Sequence, residues 1–231
     1  MAVYATGDTH GDVFRIIYGT FPGEHIVGEG DVLFILGDFG VVFDNTATPL
    51  EKRILELLAQ MPFIIMVVDG NHENHPRLYG LPETTMFGGK VGILKEGKVF
   101  VCRRGEIYTI DGKKFFTFGG ATSIDRSLRV PGLSWWKEEV PSAAEMDRGL
   151  QNLEDNNYIV DYILAHTAPE NIAKILIEKS GVFFYDPDPT RKYLEHVCSV
   201  TTFEHFYCGH WHVERDIDNY HILWESIRQI I

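Results

Sequence analysis

Phe63-Ile64-Ile65-Met66-Val67-Val68-Asp69-Gly70-Asn71-His72-Glu73 is an apolar run that stops abruptly in a polar turn. A short unbroken apolar run bounded by a turn reads as a strand buried on both faces, the kind a parallel sheet contains. The same shape occurs twice upstream. Ala2–Thr6 runs into Gly7-Asp8, and Asp31–Leu36 runs into Gly37-Asp38. Between the second and third runs, Pro49–Gln60 places Leu50, Ile54, Leu57 and Leu58 on one helical face. Thr48 and Glu51 have the spacing of a capping box, and Pro49 suits the first helical position. Strand, loop, helix, strand predicts a mostly parallel sheet. In open α/β sheets ligands collect at the carboxyl ends of strands, where these polar turns fall.

Downstream, Val91–Leu94, Lys98–Cys102, Glu106–Ile110 and Lys113–Phe118 read as short strands, with hairpin turns at Glu96-Gly97 and Asp111-Gly112. They are expected to form a second, antiparallel sheet. Ser142–Asp155 reads as a helix opened by a second capping box, Ser142 with Glu145. Tyr158–Ala165 is a strand that delivers His166, and Pro169–Lys179 and Arg191–Val197 are helices. Phe203–Cys208 is a strand that delivers Gly209-His210, and Val213–Ile227 reads as a hairpin turning at Asp218-Asn219. No repeat, low-complexity stretch or linker interrupts the chain. The expectation is one α/β domain over residues 1–231, with two sheets flanked by helices.

The formal net charge is −12, which argues against sequence-independent binding to long nucleic acid. It does not exclude an anionic substrate, because two divalent ions would outweigh the carboxylates of Asp8 and Asp38. Cys102, Cys198 and Cys208 are an odd set without close pairing, which suits a reducing compartment. The first strand starts at Ala2, and no apolar run has the length of a membrane span. The expectation is a cytoplasmic protein without membrane partners.

Five polar patches punctuate this framework: Asp8-Thr9-His10, Gly37-Asp38, Gly70-Asn71-His72-Glu73, His166 and Gly209-His210-Trp211-His212. They offer a mixed oxygen and nitrogen ligand set, which suits Mn, Fe or Zn rather than a thiolate zinc site. Residues two apart in an extended segment point the same way, so Asp8 with His10, and His210 with His212, are expected to reach one ion or neighbouring ions. Taken singly, each patch has an ordinary structural reading as a turn or a core histidine. His25, His75, His196, His205 and His221 match no motif and are read as structural.

In order and type, the five patches resemble the signature of the calcineurin-like metallophosphoesterases over residues 8–212. The resemblance implies a four-layer α/β/β/α sandwich of two mixed sheets. It implies two divalent metal ions, one held by Asp8, His10, Asp38 and His212, the other by Asp38, Asn71, His166 and His210. It also implies hydrolysis of phosphomonoesters or phosphodiesters by in-line attack of a metal-bridging hydroxide. Asp38 would be the bridging carboxylate and His72 would assist the leaving oxygen, a role suited to an imidazole titrating near neutrality.

The chain departs from the phosphoprotein phosphatase branch of that family. Gly37-Asp38 continues into Phe39-Gly40-Val41 instead of Asp-Arg-Gly, and Asp69 stands where an Arg would precede Gly70. Two phosphate-clamping arginines are therefore missing. Gly119–Arg126 and Ser134–Glu139 resemble a segment of small bacterial and phage phosphoesterases and offer replacements. Arg126 or Arg129 could grip phosphate, and Trp135 or Trp136 could wall a pocket. Arg103 and Arg104, in the hairpin region, are expected to be solvated. The expected partner is a small phosphorylated substrate or nucleotide, bound with the help of Asn71, His72, Arg126 and Trp135.

Two other readings compete with this one. A non-catalytic scaffold of the same fold is disfavoured because degenerate relatives lose ligands or the leaving-group histidine, and all are present here. A metallo-β-lactamase-type hydrolase would need a His-x-His-x-Asp-His run, which is absent.

Overall fold

The structure, a computed structural model, describes residues 1–23, 27–180 and 187–231, so His25 lies outside the described residues. Strands β1 (Val3–Thr6), β2 (Val32–Leu36) and β3 (Ile64–Val68) lie parallel and adjacent, Val3 opposite Val32 and Val32 opposite Ile64. Alternation sends Val32, Phe34 and Leu36 into one core and Leu33 and Ile35 into another. Both faces are covered, which is why these strands read as unbroken apolar runs.

Helices α1 (Phe14–Tyr18) and α2 (Pro49–Leu58) cover the outer face through Ile16, Leu55 and Leu58. In α2 the Thr48 hydroxyl accepts the Glu51 N–H at 3.1 Å, giving half of the expected capping box. The Glu51 carboxylate instead pairs with Arg77 on α3 (His75–Tyr79), at 2.8 and 2.6 Å. That pairing rotates the buried stripe to Glu51, Leu55 and Leu58 and leaves Leu50 exposed, correcting the face assigned from Leu50, Ile54, Leu57 and Leu58.

The remaining strands are β4 (Glu83–Met86), β5 (Gly89–Lys95), β6 (Val99–Cys102), β7 (Ile107–Ile110), β8 (Lys113–Phe118), β9 (Tyr162–Ala165), β10 (His205–Cys208), β11 (Arg215–Ile217), β12 (Tyr220–Ile222) and β13 (Ile227–Gln229). One sheet has the order β13-β1-β2-β3-β6-β5-β4 and the other β11-β12-β10-β9-β8-β7. Residues 86–120 therefore do not build one antiparallel sheet. β6 pairs in parallel with β3, Ile65 opposite Val99, while β7 and β8 join the second sheet. Burial explains the split: β6 is buried along its whole length and needs an interior position, whereas β7 exposes Thr109 and takes an edge. The C-terminal hairpin turns at Asp218 as expected, but Ile227 leaves it, and β13 pairs antiparallel with β1.

Between the sheets, Phe34 stacks on Phe115 with ring centroids 5.8 Å apart, in a core that also holds Met66, Leu164 and Tyr207. Removing so large a buried ring would cost about 3–5 kcal/mol. Behind the second sheet, α4 (Ala143–Asp155), α5 (Glu170–Ser180) and α6 (Pro189–Val200) pack Leu153, Ile172 and Leu194 against Phe116, Phe118 and Ile163. The full Ser142–Glu145 capping box opens α4. The layers run α/β/β/α, with two mixed sheets at the centre.

Candidate metal centre

The five patches meet where the carboxyl ends of β1, β2 and β3 face those of β9 and β10. Backbone bonds lock the loops together. Thr9 and His10 N–H donate to Asp38 O (3.2 and 2.8 Å), and Gly209 N–H donates to His166 O at 2.9 Å. Carboxylates add further ties: His72 N–H to Asp38 Oδ1 at 2.8 Å, His210 N–H to Asp8 Oδ1 at 2.8 Å, and Phe39 N–H to Glu73 Oε1 at 2.6 Å.

Extended alternation does not bring the ligands together. His10, Asp38, His210 and His212 all have positive φ (46°, 43°, 70° and 48°), so left-handed turns aim them. Such conformations cost non-glycine residues free energy and cluster at functional sites. Adjacent glycines make the room. A Cβ on Gly37 would lie 1.9 Å from His166 Nδ1, and one on Gly70 would lie 2.1 Å from Asp38 Oδ1.

Two groups that could hold a metal ion result, Asp8 with His10 and His212, and Asp38 with His166 and His210, each with its candidate ligand atoms within 4.8 Å of one another. In the first, His212 Nε2 lies 2.9 Å from Asp8 Oδ2 and 3.0 Å from His10 Nε2. Trp224 stacks on His212 at 5.6 Å, a contact no motif announced. In the second, His166 Nε2 lies 3.5 Å from Asp38 Oδ1 and 2.9 Å from Asn71 Oδ1. Asp38 stands between them, its Oδ2 3.9 Å from His10 Nε2.

The donor set fits divalent cations. His166 Nδ1 lies 2.9 Å from Leu36 O, which can only accept, so a metal-binding ring would carry its proton there and present a lone pair at Nε2. That lone pair faces the Asn71 carboxamide oxygen and the Asp38 carboxylate. Converging acceptors without a proton among them are costly unless a cation is shared.

Electrostatics differ around the centre. Burial works to raise Asp38, but His166, His72, the His72 N–H and His210 together hold its pKa well below the usual range. Burial pushes His210 far below an ordinary imidazole, helped by His166. His212 moves up, because its hydrogen bond to Asp8 outweighs its partial burial. His72 moves down through burial, with Arg129 and His10 adding to it against the pull of Asp38. Glu73 is pushed well up by burial and the nearby Asp38.

His10, Gly40, Phe43, His72 and Arg129 line a cleft of about 390 Å³ over the centre. Arg129, not Arg126, reaches it: Arg129 Nη2 lies 3.4 Å from His72 Nε2, while Arg126 is exposed. Asp125 grips Arg129 with two bonds of 2.7 Å, and Ser134 O accepts from its Nη1 at 3.2 Å. Trp135 is half-buried and does not line the cleft, whereas Trp136 is buried edge-on against Phe43 at 5.4 Å.

Arg103 and Arg104 are buried, which corrects their expected solvation. Arg104 forms an ion pair with Asp69 behind the Asn71 loop, and Arg103 bonds Leu78 O and Glu83. Their signal was the adjacent apolar strand β6, which carries both side chains into the interior. His75 is a buried support for the same loop, 3.0 Å from Gly70 O. His205 and His221 pair with each other at 3.0 Å away from the centre, and His196 is exposed.

The family model described as calcineurin-like phosphoesterase matches residues 1–214. A search of curated proteins found no match to the chain.

Proposed function

The chain belongs to the calcineurin-like phosphoesterase family, and from that premise we propose a dinuclear metal-dependent hydrolase of small phosphomonoesters or phosphodiesters. The observation that carries this reading is the pair of ligand groups, Asp8/His10/His212 and Asp38/His166/His210, met across one carboxylate. Asp8, His10, Asp38 and His212 would hold one ion, and Asp38, Asn71, His166 and His210 the other, with Mn, Fe or Zn suited to the ligands. Bound ions of this kind supply an activated water nucleophile and neutralise phosphoryl oxygens.

The chain's own residues do the rest. Asp38, held below the usual carboxylate range despite its burial, would serve as the carboxylate shared by the two ions. His72 stands at the cleft wall, where it can hold or give a proton at the leaving oxygen. Arg129 is the arginine among the residues that line the cleft, and Asp125 and Ser134 hold its guanidinium in place. A single arginine, partly neutralised, favours a diester or small nucleotide over a more highly charged phosphoprotein, and Phe43 offers that ligand an aromatic wall.

Among the described residues no helix is long and apolar enough to cross a membrane. Cys102, Cys198 and Cys208 are all free, which supports a reducing, cytoplasmic setting. The test is metal content together with hydrolysis of bis-p-nitrophenyl phosphate and p-nitrophenyl phosphate in Mn, Zn, Fe and Mg, beside His72→Ala. Two ions per chain and His72-dependent turnover are expected. A chain that binds no metal under any condition would overturn the reading.

A further inference from the structure

We propose that Glu139, acting through Ser123, is the positioning group that turns the carboxamide oxygen of Asn71 into the metal centre; this rests on the metal reading above. The Asn71 side chain has two donors on one branch and an acceptor on the other, with nearly the same shape. Its Oδ1 lies 2.9 Å from His166 Nε2, and its Nδ2 donates to Ser123 Oγ at 3.0 Å.

Left to itself, this pair would choose the opposite orientation. His166 keeps its proton on Nδ1 against Leu36 O, so its Nε2 can only accept. Turned by half a rotation, Asn71 would donate an N–H to His166 and accept the Ser123 hydroxyl. Two ligands would then satisfy each other, and the centre would close without a cation.

Glu139 prevents this. It is fully buried, and both of its oxygens are used on one residue. Oε1 accepts the Ser123 N–H at 2.9 Å, and Oε2 accepts the Ser123 hydroxyl at 2.5 Å. With its proton committed to the carboxylate, Ser123 Oγ can only accept from Asn71. The carboxamide must then present its oxygen to His166 and to the centre.

Glu139 is itself tied to the metal loop. The carbonyls of Glu138 and Glu139 accept from Arg104 Nη2 at 3.0 and 3.3 Å, and Arg104 pairs with Asp69, just before Gly70-Asn71. Backbone and side chain of the Asn71 loop are thus referenced to one turn. This gives a role to the Gly119–Arg126 and Ser134–Glu139 segments beyond any contact with substrate.

The test is calorimetric titration of chelator-stripped protein with Mn, beside the melting temperature of the stripped protein. In Glu139→Gln the new carboxamide can donate to Ser123, releasing the hydroxyl proton toward Asn71. Affinity for one of two ions should fall about 10–100-fold, the range for partners of a metal ligand, with the other ion held as in the wild type. Ser123→Ala should reproduce the loss and decides the matter if Glu139→Gln does not fold. In an Asn71→Asp background, whose carboxylate has no donor branch to exclude, Glu139→Gln should cost little.

Wild-type affinity for both ions in the single variants would overturn the proposal. So would an equal loss at both ions with a lowered melting temperature, or an undiminished loss in the Asn71→Asp background. A wild-type chain that binds no ion would instead bring down the metal reading, and the proposal with it.

Discussion

The two ligand groups share a neighbour in Asp38 but stand in different surroundings. His166 is fully buried, with its proton fixed by Leu36 O, and His210 is desolvated enough to stay neutral well below the ordinary imidazole range. On the other side Asp8 is buried, but the His10 and His212 side chains are 39 % and 47 % exposed. His212 is also held upward by Asp8. Water and protons can therefore compete for the outer group and hardly for the inner one. Both groups sit on loops that follow strand ends, and burial is what separates them.

Asp38→Ala would erase this difference. Both ions should be lost and turnover should fall to background, checked by metal analysis of the purified variant. An Asp38→Ala chain that keeps one ion would confine the carboxylate to a single group. His72→Ala leaves both groups intact, so metal content should hold while turnover drops about 10²–10⁴-fold. The loss should be least for p-nitrophenyl esters, whose leaving group needs no proton. An equal loss across leaving groups would remove the acid role.

The support behind the inner group can be tested by stability. Asp69→Asn removes the nearest counter-charge of the buried Arg104, leaving Glu145 at 3.7 Å, and should cost about 3–5 kcal/mol, read from urea unfolding. Burial tends to raise Asp69, but Arg104 and His75 hold its pKa far below the usual carboxylate range. A depressed carboxylate contributes its stability fully above its unfolded pKa, near pH 4, and loses it as the pH falls further. The stability of Asp69→Asn should therefore decline less steeply than that of the wild type in that acid range.

Acid should also separate the two groups directly. Metal binding needs neutral imidazoles, so the raised His212 yields to protons at higher pH than the depressed His210. Lowering the pH in dilute Mn should release the ions in two steps, the outer one first, followed by Mn paramagnetic resonance. Simultaneous release would show that exposure does not distinguish them. The smallest effect belongs to the cleft rim. Arg129→Lys should raise KM for a phosphodiester about tenfold, the loss of one charge-assisted bond, while Arg126→Lys should leave it unchanged.

Much of the framework was legible because its signals are local. The runs ending at Thr6, Leu36 and Val68 announce buried strands, and the polar turns after them announce a ligand-collecting edge. Ser142 with Glu145 formed the capping box its spacing promised. The less local features were not readable. The stripe of α2 turned because Glu51 found Arg77, a partner 26 residues away. β6 kept its hairpin with β5 but parted from β7 and β8, because only an interior position beside β3 buries both its faces. Arg129 and Arg126 are alike in sequence, and Asp125 with Ser134 decides which faces His72.

By itself the sequence determined the ligand types, their order and the strand ends that carry them, since these follow from hydrophobic period and turn chemistry within short windows. Tertiary structure alone decided the split of strands between sheets, the left-handed turns that aim four candidate ligands, and the Glu139–Ser123–Asn71 chain. Each of those depends on hydrogen bonds and burial between residues far apart in the chain. Their partners exist only once the two sheets have packed.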